Sequence, residues 1–484
     1  MEDIKNMKPD NTELTTKVWN SIQEASMAVN GPAAMFGSEN PFLRLDWMRE
    51  YWLTHSSATS WKPFIVGVFR GEKLASLAGF RVSPSWFGVR FVRFLVDGKA
   101  DYLGMAGETS QETLNAVLKA VRSLGPHVVI QLTDLAEDSA LSGLLESDGA
   151  ACRIQRRVEL YPCPYRTLAG EAAAASKSNR KFQGRIPGYL KRLSAMGEVE
   201  LRVIDFDRDR GAALAWLPSL FALHDLRHQN RRNSWKDRQN REFLRSYVQR
   251  ADRSDLLGFL LLLDGQLVAF DLGFRMQNSF CLHIPAFHPA FEKFRLGHIT
   301  RFLSFQKCAE LGFDVYDFSK GDAFAKRVWS NGCRSNYEYV LTLEDSARAR
   351  AGAKALSAIS ALMARGRALG VNRRAGRWLE QWYHPGRKAA SMGGARDKSY
   401  GEKMPLSYSL VAGLPLPHLT SVVDFVFVQG RSSQLEVFWL NEHTLRVSGT
   451  EPEDEMVVDL RESSPVARTE FSREPREQSP AATH

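Results

Sequence analysis

The same strand-turn-strand pattern is written twice in this chain. Gly71-Glu-Lys-Leu-Ala75-Ser-Leu-Ala-Gly79-Phe80-Arg81 aligns without a gap to Gly265-Gln-Leu-Val-Ala269-Phe-Asp-Leu-Gly273-Phe274-Arg275, with Gly, Ala, Gly, Phe and Arg in common. Each copy comes after an apolar run, Phe64 to Phe69 and Phe259 to Leu263, so each reads as strand, tight turn at Arg-Gly or Asp-Gly, and strand. Asp-Gly turns between apolar runs are common enough for two generic hairpins to coincide. The alternative is a fold built from two related α/β units, and the patterned stretch from Leu282 to Trp329, just after the second copy, favours it.

At 484 residues the chain exceeds what one core usually serves, and about 150 residues per domain gives roughly three units. A hydrophobic content of 44%, with 11 Trp and 28 Phe, is ample for large cores. No apolar run reaches the roughly 18 residues of a membrane span. The segment Met1 to Asp10 lacks the apolar stretch of a signal peptide, so a cytoplasmic location is expected. Five cysteines (Cys152, Cys163, Cys281, Cys308, Cys333) with no C-x-x-C pair argue against a disulfide framework and a structural zinc site, and no metal is expected. The starting residues of H-E-x-x-H, G-x-S-x-G and G-x-x-x-x-G-K-S/T are missing, which removes metalloprotease, α/β-hydrolase and P-loop chemistries.

Residues 1–40 are polar and weakly patterned and read as a flexible segment. A first α/β unit spans 41–170, with a helix around Leu43 to Trp52, strands at Phe64 to Phe69, Leu74 to Phe80 and Val89 to Leu95, a helix at Leu114 to Leu124 and a strand at Val128 to Leu132. A second unit spans 171–345, with helices at Leu214 to His228 and Phe243 to Arg250 before the second hairpin. The net charge of +9 is concentrated in two places. Ser176 to Leu193 is basic and interrupted by Pro187-Gly188, either a solvated helix face or an anion-binding surface. The segment 346–390 is helix-forming and rich in Arg, either a solvated helix with an apolar underside or a surface for acidic lipids, RNA or a partner. A linker at 391–404, a small β-rich module at 405–460 with paired strands Val422 to Val428 and Leu435 to Leu440, and a disordered tail at 461–484 complete the chain.

The richest stretch runs from Leu282 to Trp329: strand, Gly-containing turn, apolar helix, strand Val315 to Phe318, then Ser319-Lys320-Gly321-Asp322. A Gly between strand and helix lets backbone N–H groups approach a phosphate, and the helix dipole adds to the attraction. Acylation of an amine needs a proton acceptor and a polarised thioester carbonyl, each worth on the order of 10²- to 10⁴-fold. Lys326 suits the stabilisation of an oxyanion, or else is an exposed helix Lys. Asp317 suits a base, or else caps the next turn. His283, on a strand, is the alternative base, or else a packed His. His224 and Arg227, one helical turn apart, suit an anionic substrate group, or else are lone surface residues.

Asp317-Phe318-Ser-Lys-Gly321, with Lys326 and Trp329 after it, resembles the closing motif of the CelD-type (BcsL-type) cellulose-biosynthesis acetyltransferases. These belong to the GNAT superfamily and are similar in tandem architecture to the Fem-type peptidyltransferases. Pro41-Phe42, Trp47, Trp52, Asp101-Tyr102, the basic Arg180 to Leu193 segment, Leu223-His224 with Arg227, and Asp264-Gly265 with Ala269 match in order and spacing over residues 40–343. The resemblance implies an α/β fold of two GNAT-like (acyl-coenzyme A N-acyltransferase) domains with mixed central sheets, plus a helical and small β C-terminal extension. It implies a first half without catalytic function and a second half holding acyl-coenzyme A where strands around Leu282 to Ala286 and Val315 to Phe318 splay apart. Phe294, Arg295, Leu296, Gly297, His298 and Ile299 would form the pyrophosphate turn, and Trp329 would join His224 and Arg227 at the substrate. Two departures stand out: only Gly297 matches the family's turn, and Ala325 replaces the Tyr expected before Lys326.

The expected activity is transfer of an acetyl or acyl group from acetyl-coenzyme A, with one acyl-coenzyme A per chain, to an amine or hydroxyl of a small-molecule or saccharide acceptor. The resemblance links it to cellulose or exopolysaccharide biosynthesis and to a polysaccharide synthase complex. Two alternatives remain: an aminoacyl-tRNA-dependent transferase whose basic helices bind RNA, and a non-catalytic partner of a synthase.

Overall fold

The computed structural model describes residues 13–29, 39–96, 98–168, 177–228, 234–368, 404–406, 408–429, 435–441, 443–448 and 455–461. The first half contains β1 (Leu14–Trp19), α1 (Ile22–Val29), α2 (Leu45–His55), β2 (Lys62–Arg70), β3 (Lys73–Val82), β4 (Arg90–Phe94), β5 (Ala106–Gly107), α3 (Gln111–Arg122), β6 (Val128–Ala136), α4 (Ala140–Leu145) and β7 (Arg153–Thr167). The second contains α5 (Lys177–Gln183), α6 (Ile186–Leu193), β8 (Val199–Asp205), α7 (Arg210–Arg227), α8 (Arg238–Arg250), β9 (Leu256–Leu263), β10 (Gln266–Met276), β11 (Ser279–Phe287), α9 (Leu296–Glu310), β12 (Val315–Asp317), α10 (Phe324–Arg327) and β13 (Gly332–Thr342).

These strands form one 13-stranded mixed sheet in the order β1-β2-β3-β4-β6-β13-β7-β12-β11-β10-β9-β8, with β5 attached to β3. Read from its two ends the order is the same: an antiparallel run of four strands, then a parallel step, β4 to β6 in one half and β11 to β12 in the other. The repeated hairpins are β2–β3 and β9–β10, turning at Gly71 (φ 61°) and at Asp264-Gly265 (φ 49° and 73°). The shared glycines are held by close approach. A Cβ on Gly79 would lie 2.3 Å from Met48 Sδ, and one on Gly273 would lie 2.2 Å from the Cys281 carbonyl oxygen.

Each half gives its last strand to the other. β13 pairs with β6 of the first half and β7 pairs with β12 of the second, and the two exchanged strands pair with each other from Gly332–Tyr165 to Thr342–Arg153. The boundary expected near residue 170 separates the halves in sequence but not in space. Both faces of the sheet are covered, so β9 is buried at every position. Its period of two divides it between cores: Leu256, Leu260 and Leu262 face one, while Leu257, Phe259, Leu261 and Leu263 face the other.

Equivalent helices α2 and α8 meet across the pseudo-symmetry. Trp47 packs edge-on against Phe243 and Tyr247, with ring centroids 4.6 and 4.8 Å away, and Arg44 reaches Asp255 at 2.7 Å and the Tyr247 hydroxyl at 2.6 Å. A second tie runs through Asp317 at the end of β12. Its carboxylate accepts from the Tyr102 hydroxyl of the first half (2.9 and 2.8 Å), from the Ser319 amide (2.6 Å) and from the Arg334 guanidinium on β13.

Several expectations change. Residues 14–19 form an edge strand on β2 and 22–29 form a helix, where a flexible segment was expected; β1 buries only Trp19, so its sequence carries little hydrophobic pattern. The basic segment is two helices, with Pro187 in the first turn of α6, where a missing N–H is harmless. The helix after residue 346 is α11 (Ala347–Ala368). Beyond it lie β14 (Met404–Pro405), α12 (Tyr408–Val411), α13 (Leu416–Gln429), β15 (Glu436–Asn441), β16 (Thr444–Ser448) and β17 (Glu455–Asp459), the strands forming a separate four-stranded sheet. Val422 to Val428 is helical rather than a strand, because Val422, Val423 and Val426 recur at helical spacing on one buried face. This region packs on the second half: Tyr408 meets Phe291 at 5.2 Å and Phe427 meets Phe294 at 5.1 Å. The linker residues 391–403 and the tail 462–484 lie outside the described residues. Among the described residues no helix is long and apolar enough to cross a membrane.

The Asp317 tie gives a stability prediction. Asp317→Ala leaves Arg334 and Tyr102 without their acceptor and is expected to destabilise the chain by about 3–5 kcal/mol, against roughly 1 kcal/mol for Tyr102→Phe. Urea midpoints of the two variants and their double mutant check this. Additive, small losses would show that Asp317 is not the tie.

Candidate active site at the junction of the halves

β11 and β12 run parallel for three residue pairs, ending at Cys281–Asp317. Beyond that point they diverge, and the gap opens into a cavity of about 250 Å³. Leu282, His283 and Pro285 line it from β11, Phe318, Ser319 and Lys320 from the end of β12, and Lys326 from α10. The first half supplies another wall, Gly98 to Asp101, and Trp235 completes it.

His283 is central. Its ring is packed by Phe42, Trp235 and Phe274 at 5.6, 5.5 and 5.3 Å. Its Nδ1 lies 2.7 Å from Asp101 Oδ2, a contact between residues 182 positions apart. Burial alone would raise the Asp101 carboxyl, but His283 and Lys320 outweigh it and hold the group at about 2. An ionised carboxylate only accepts, so Nδ1 is the donor in this contact. Nε2 is buried and has no hydrogen-bond partner among the described residues. Asp101 is fixed through its neighbours: Asn336 donates to its carbonyl at 2.6 Å and Asn40 donates to the Tyr102 carbonyl at 3.0 Å.

Three lysines face the same space. Lys320 donates to the Ala100 carbonyl at 2.9 Å and to Asp134 at 3.3 Å. Lys326 donates to the carbonyls of Ser319 and Lys320 at 3.2 and 2.7 Å, and burial lowers its pKa. Lys99 is also lowered by burial and lies over the Trp235 ring at 5.8 Å. The turn that presents Lys320 is held in a left-handed shape at Ser319 (φ 60°) and Gly321 (φ 110°).

Of the residues singled out in the sequence, the structure brings His283 and Lys326 together here. Asp317 is excluded from the cavity lining: it is buried, its acceptor sites are filled, and burial raises its pKa. The expected base at Asp317 is therefore corrected to a structural anchor. Trp329 is buried and donates from Nε1 to His298 Nδ1 at 2.9 Å, so it packs behind the cavity rather than meeting a substrate. His224 is buried beside His228, which with desolvation lowers its pKa to about 4, and Arg227 lies over Phe287 at 4.1 Å. Neither lines the cavity.

The expected pyrophosphate turn is altered too. Phe294, Leu296 and Ile299 are fully buried in the core. The left-handed residue is Arg295 (φ 58°), whereas a Cβ on Gly297 would crowd Phe287 at 3.2 Å, so Gly297 serves the packing of α9 on β11. His298 is turned inward to Trp329, and burial pushes it down to about 4, which keeps Nδ1 free to accept. The amino end of α9, a helix of 15 residues, has no side-chain cap, and none of residues 294–299 lines the cavity.

Asp101, Lys320, Lys99 and Trp235 are lining residues to which the sequence assigns no role. Asp101-Tyr102 stands out there only as a motif; nothing local in the sequence pairs it with His283.

Residues 180–327 match the family described as acetyltransferase (GNAT) domain. Among solved structures, the chain is similar to FemX (11% identity, TM-score 0.44, covering 67% of this chain and 97% of that one). It is also similar to L-PGS from Bacillus licheniformis (12%, TM-score 0.38, 66% and 96%) and to a tandem GNAT protein from the clavulanic acid biosynthesis pathway (9%, TM-score 0.34, 69% and 100%). No curated protein matches. The stretch that carries His283, Lys326 and the β11–β12 crevice thus lies within the residues that match the acetyltransferase (GNAT) domain model, set in a mixed α/β fold with a helical and small β C-terminal region.

Proposed function

We propose that the chain transfers an acyl group from acyl-coenzyme A to an amine or hydroxyl acceptor, with His283 as general base. The observation that carries this reading is His283 in the cavity lining, its Nδ1 on the Asp101 carboxylate and its buried Nε2 without a hydrogen-bond partner among the described residues. The donor enters along the gap between β11 and β12, its thioester near Phe318 and Ser319. The acceptor lies against the wall from Gly98 to Asp101. The acceptor gives its proton to His283 Nε2, the new C–N or C–O bond forms at the thioester carbonyl, and the C–S bond breaks to release the coenzyme A thiolate. Lys326, a cation fixed by two carbonyls, stabilises the negative charge that develops on the carbonyl oxygen. The resemblance in sequence to cellulose-biosynthesis acetyltransferases is what favours a saccharide acceptor.

In this reading the first half holds no second donor. After β4 the chain runs back through Ala100, Asp101, Tyr102, Leu103, Met105 and Ala106, all buried, and the Leu103 amide donates to the Asp134 carbonyl at 2.9 Å near the carboxyl end of β6. In this reading that segment occupies the place that matches the β11–β12 gap. Calorimetric titration of the full chain with acetyl-coenzyme A is expected to give one site per chain. Two sites, or none, would overturn the assignment.

Transfer to a panel of amino sugars, or slow hydrolysis of acetyl-coenzyme A, tests the machinery. His283→Gln is expected to lower kcat by about 10²- to 10⁴-fold. Asp101→Asn, whose amide can donate to Nδ1 and reverse the tautomer, is expected to lose a comparable amount while acetyl-coenzyme A still binds. Lys326→Ala is expected to reduce kcat more than it raises KM, with partial rescue by Lys326→Arg. Unchanged turnover in His283→Gln would remove the base and with it this mechanism.

A further inference from the structure

The connection from β3 to β4 ends in a two-residue turn. Trp86 and Val89 exchange both backbone hydrogen bonds at 2.8 Å, which leaves Phe87 and Gly88 at φ 48° and 80°. Asn, Asp or Gly suits the first of these positions; a bulky aromatic residue in the left-handed region is disfavoured. Phe87 gains nothing inside the protein in return, being 97% exposed, and Trp86 beside it is 70% exposed. The root of the turn is rigid, because Val89 is buried with Val129, Val340, Ala349, Ala353 and Leu356 beneath α11.

That helix brings positive charge to the same corner. The described side chains of α11 include Arg348, Arg350 and Lys354 and no acidic residue. Arg348, Arg350 and Lys354 are exposed, and Arg348 Nη1 lies 3.5 Å from where a Cβ on Gly88 would stand. Asp345, which precedes the helix, is already bridged to Arg153 and Arg350.

We propose that this corner is a docking site for an anionic lipid surface. Trp86 and Phe87 enter the boundary between headgroups and acyl chains, where aromatic side chains are favoured, and the basic residues of α11 lie over lipid phosphates. The tip protrudes, which fits a lipid surface; a single-stranded nucleic acid is held in a groove that tracks its backbone. The proposal stands apart from the acyl-transfer chemistry.

Co-sedimentation of the full chain with vesicles of phosphatidylcholine alone, and of phosphatidylcholine mixed with phosphatidylglycerol, tests it. Binding is expected to the mixed vesicles and to weaken as salt is raised. The double variant Trp86→Ser/Phe87→Ser is expected to lose at least about tenfold in affinity, and Arg348→Gln and Lys354→Gln about fivefold each. Phe87→Asn fits the turn better than Phe, so it is expected to raise the melting temperature while weakening vesicle binding, which separates docking from folding. Equal binding by wild type and the double variant, equal binding to neutral vesicles, or no binding to either overturns the proposal. Retention of single-stranded RNA in place of vesicles overturns it as well.

Discussion

The antiparallel pairing of β7 with β13 is the constraint on which the rest depends. Each strand belongs by sequence to one half and by position to the other, so the sheet is continuous and neither half closes without its neighbour. The exchange also builds the cavity. Phe318 and Gly321 donate their amides to the Pro164 and Pro162 carbonyls of β7 at 3.0 and 2.8 Å, and Asn331 donates to the Tyr165 carbonyl at 3.0 Å. The turn that presents Lys320, and the helix that presents Lys326, therefore hang from a strand of the first half. Geometry at the site is only as secure as that pairing.

Behind the crevice lies a buried ion pair. Arg301 of α9 is fully desolvated and bonds to Asp271 of β10 at 3.0 and 3.3 Å, while the Tyr316 hydroxyl of β12 bonds to the same carboxylate at 2.8 Å. Desolvating two ions costs several kcal/mol each, so such a pair adds little net stability, yet removing one partner strands the other. Its effect is on position: β10, α9 and β12 are held in one register at the point where β11 and β12 begin to part. Within this duplicated topology the cavity takes Asp101 from the first half and His283 and Lys326 from the second.

The legible part of the sequence was the part written in local pattern. The hairpin repeat, the helix before Leu124, the apolar helix after Gly297 and the strand at Val315 all come from spacing within about 15 residues. β1 is hard to read because an edge strand with one buried residue has no alternation to show. Val422 to Val428 misleads because a run of β-branched and aromatic residues suits a strand as well as a buried helix, and only packing against Phe291 and Phe294 decides it. Gly297 reads as a ligand turn when its missing Cβ serves Phe287. At the site, residue type and motif point to His283 and Lys326, but the pairing of His283 with Asp101 spans 182 positions and two halves. No local rule reaches that far.

Asp317 and Asp101 both stand within this junction, and the structure separates their tasks by what each has left to give. Asp317 accepts from a phenol, a backbone amide and a guanidinium, and burial raises its pKa; its oxygens are spent on joining the halves. Asp101 accepts from His283 and faces Lys320, is held at about 2, and orients an imidazole whose second nitrogen is buried without a hydrogen-bond partner among the described residues. A buried acid whose lone pairs are all satisfied fixes architecture. One that orients a neighbour whose other nitrogen has no partner leaves that nitrogen for a ligand, and of these two carboxylates Asp101, through His283, has that arrangement.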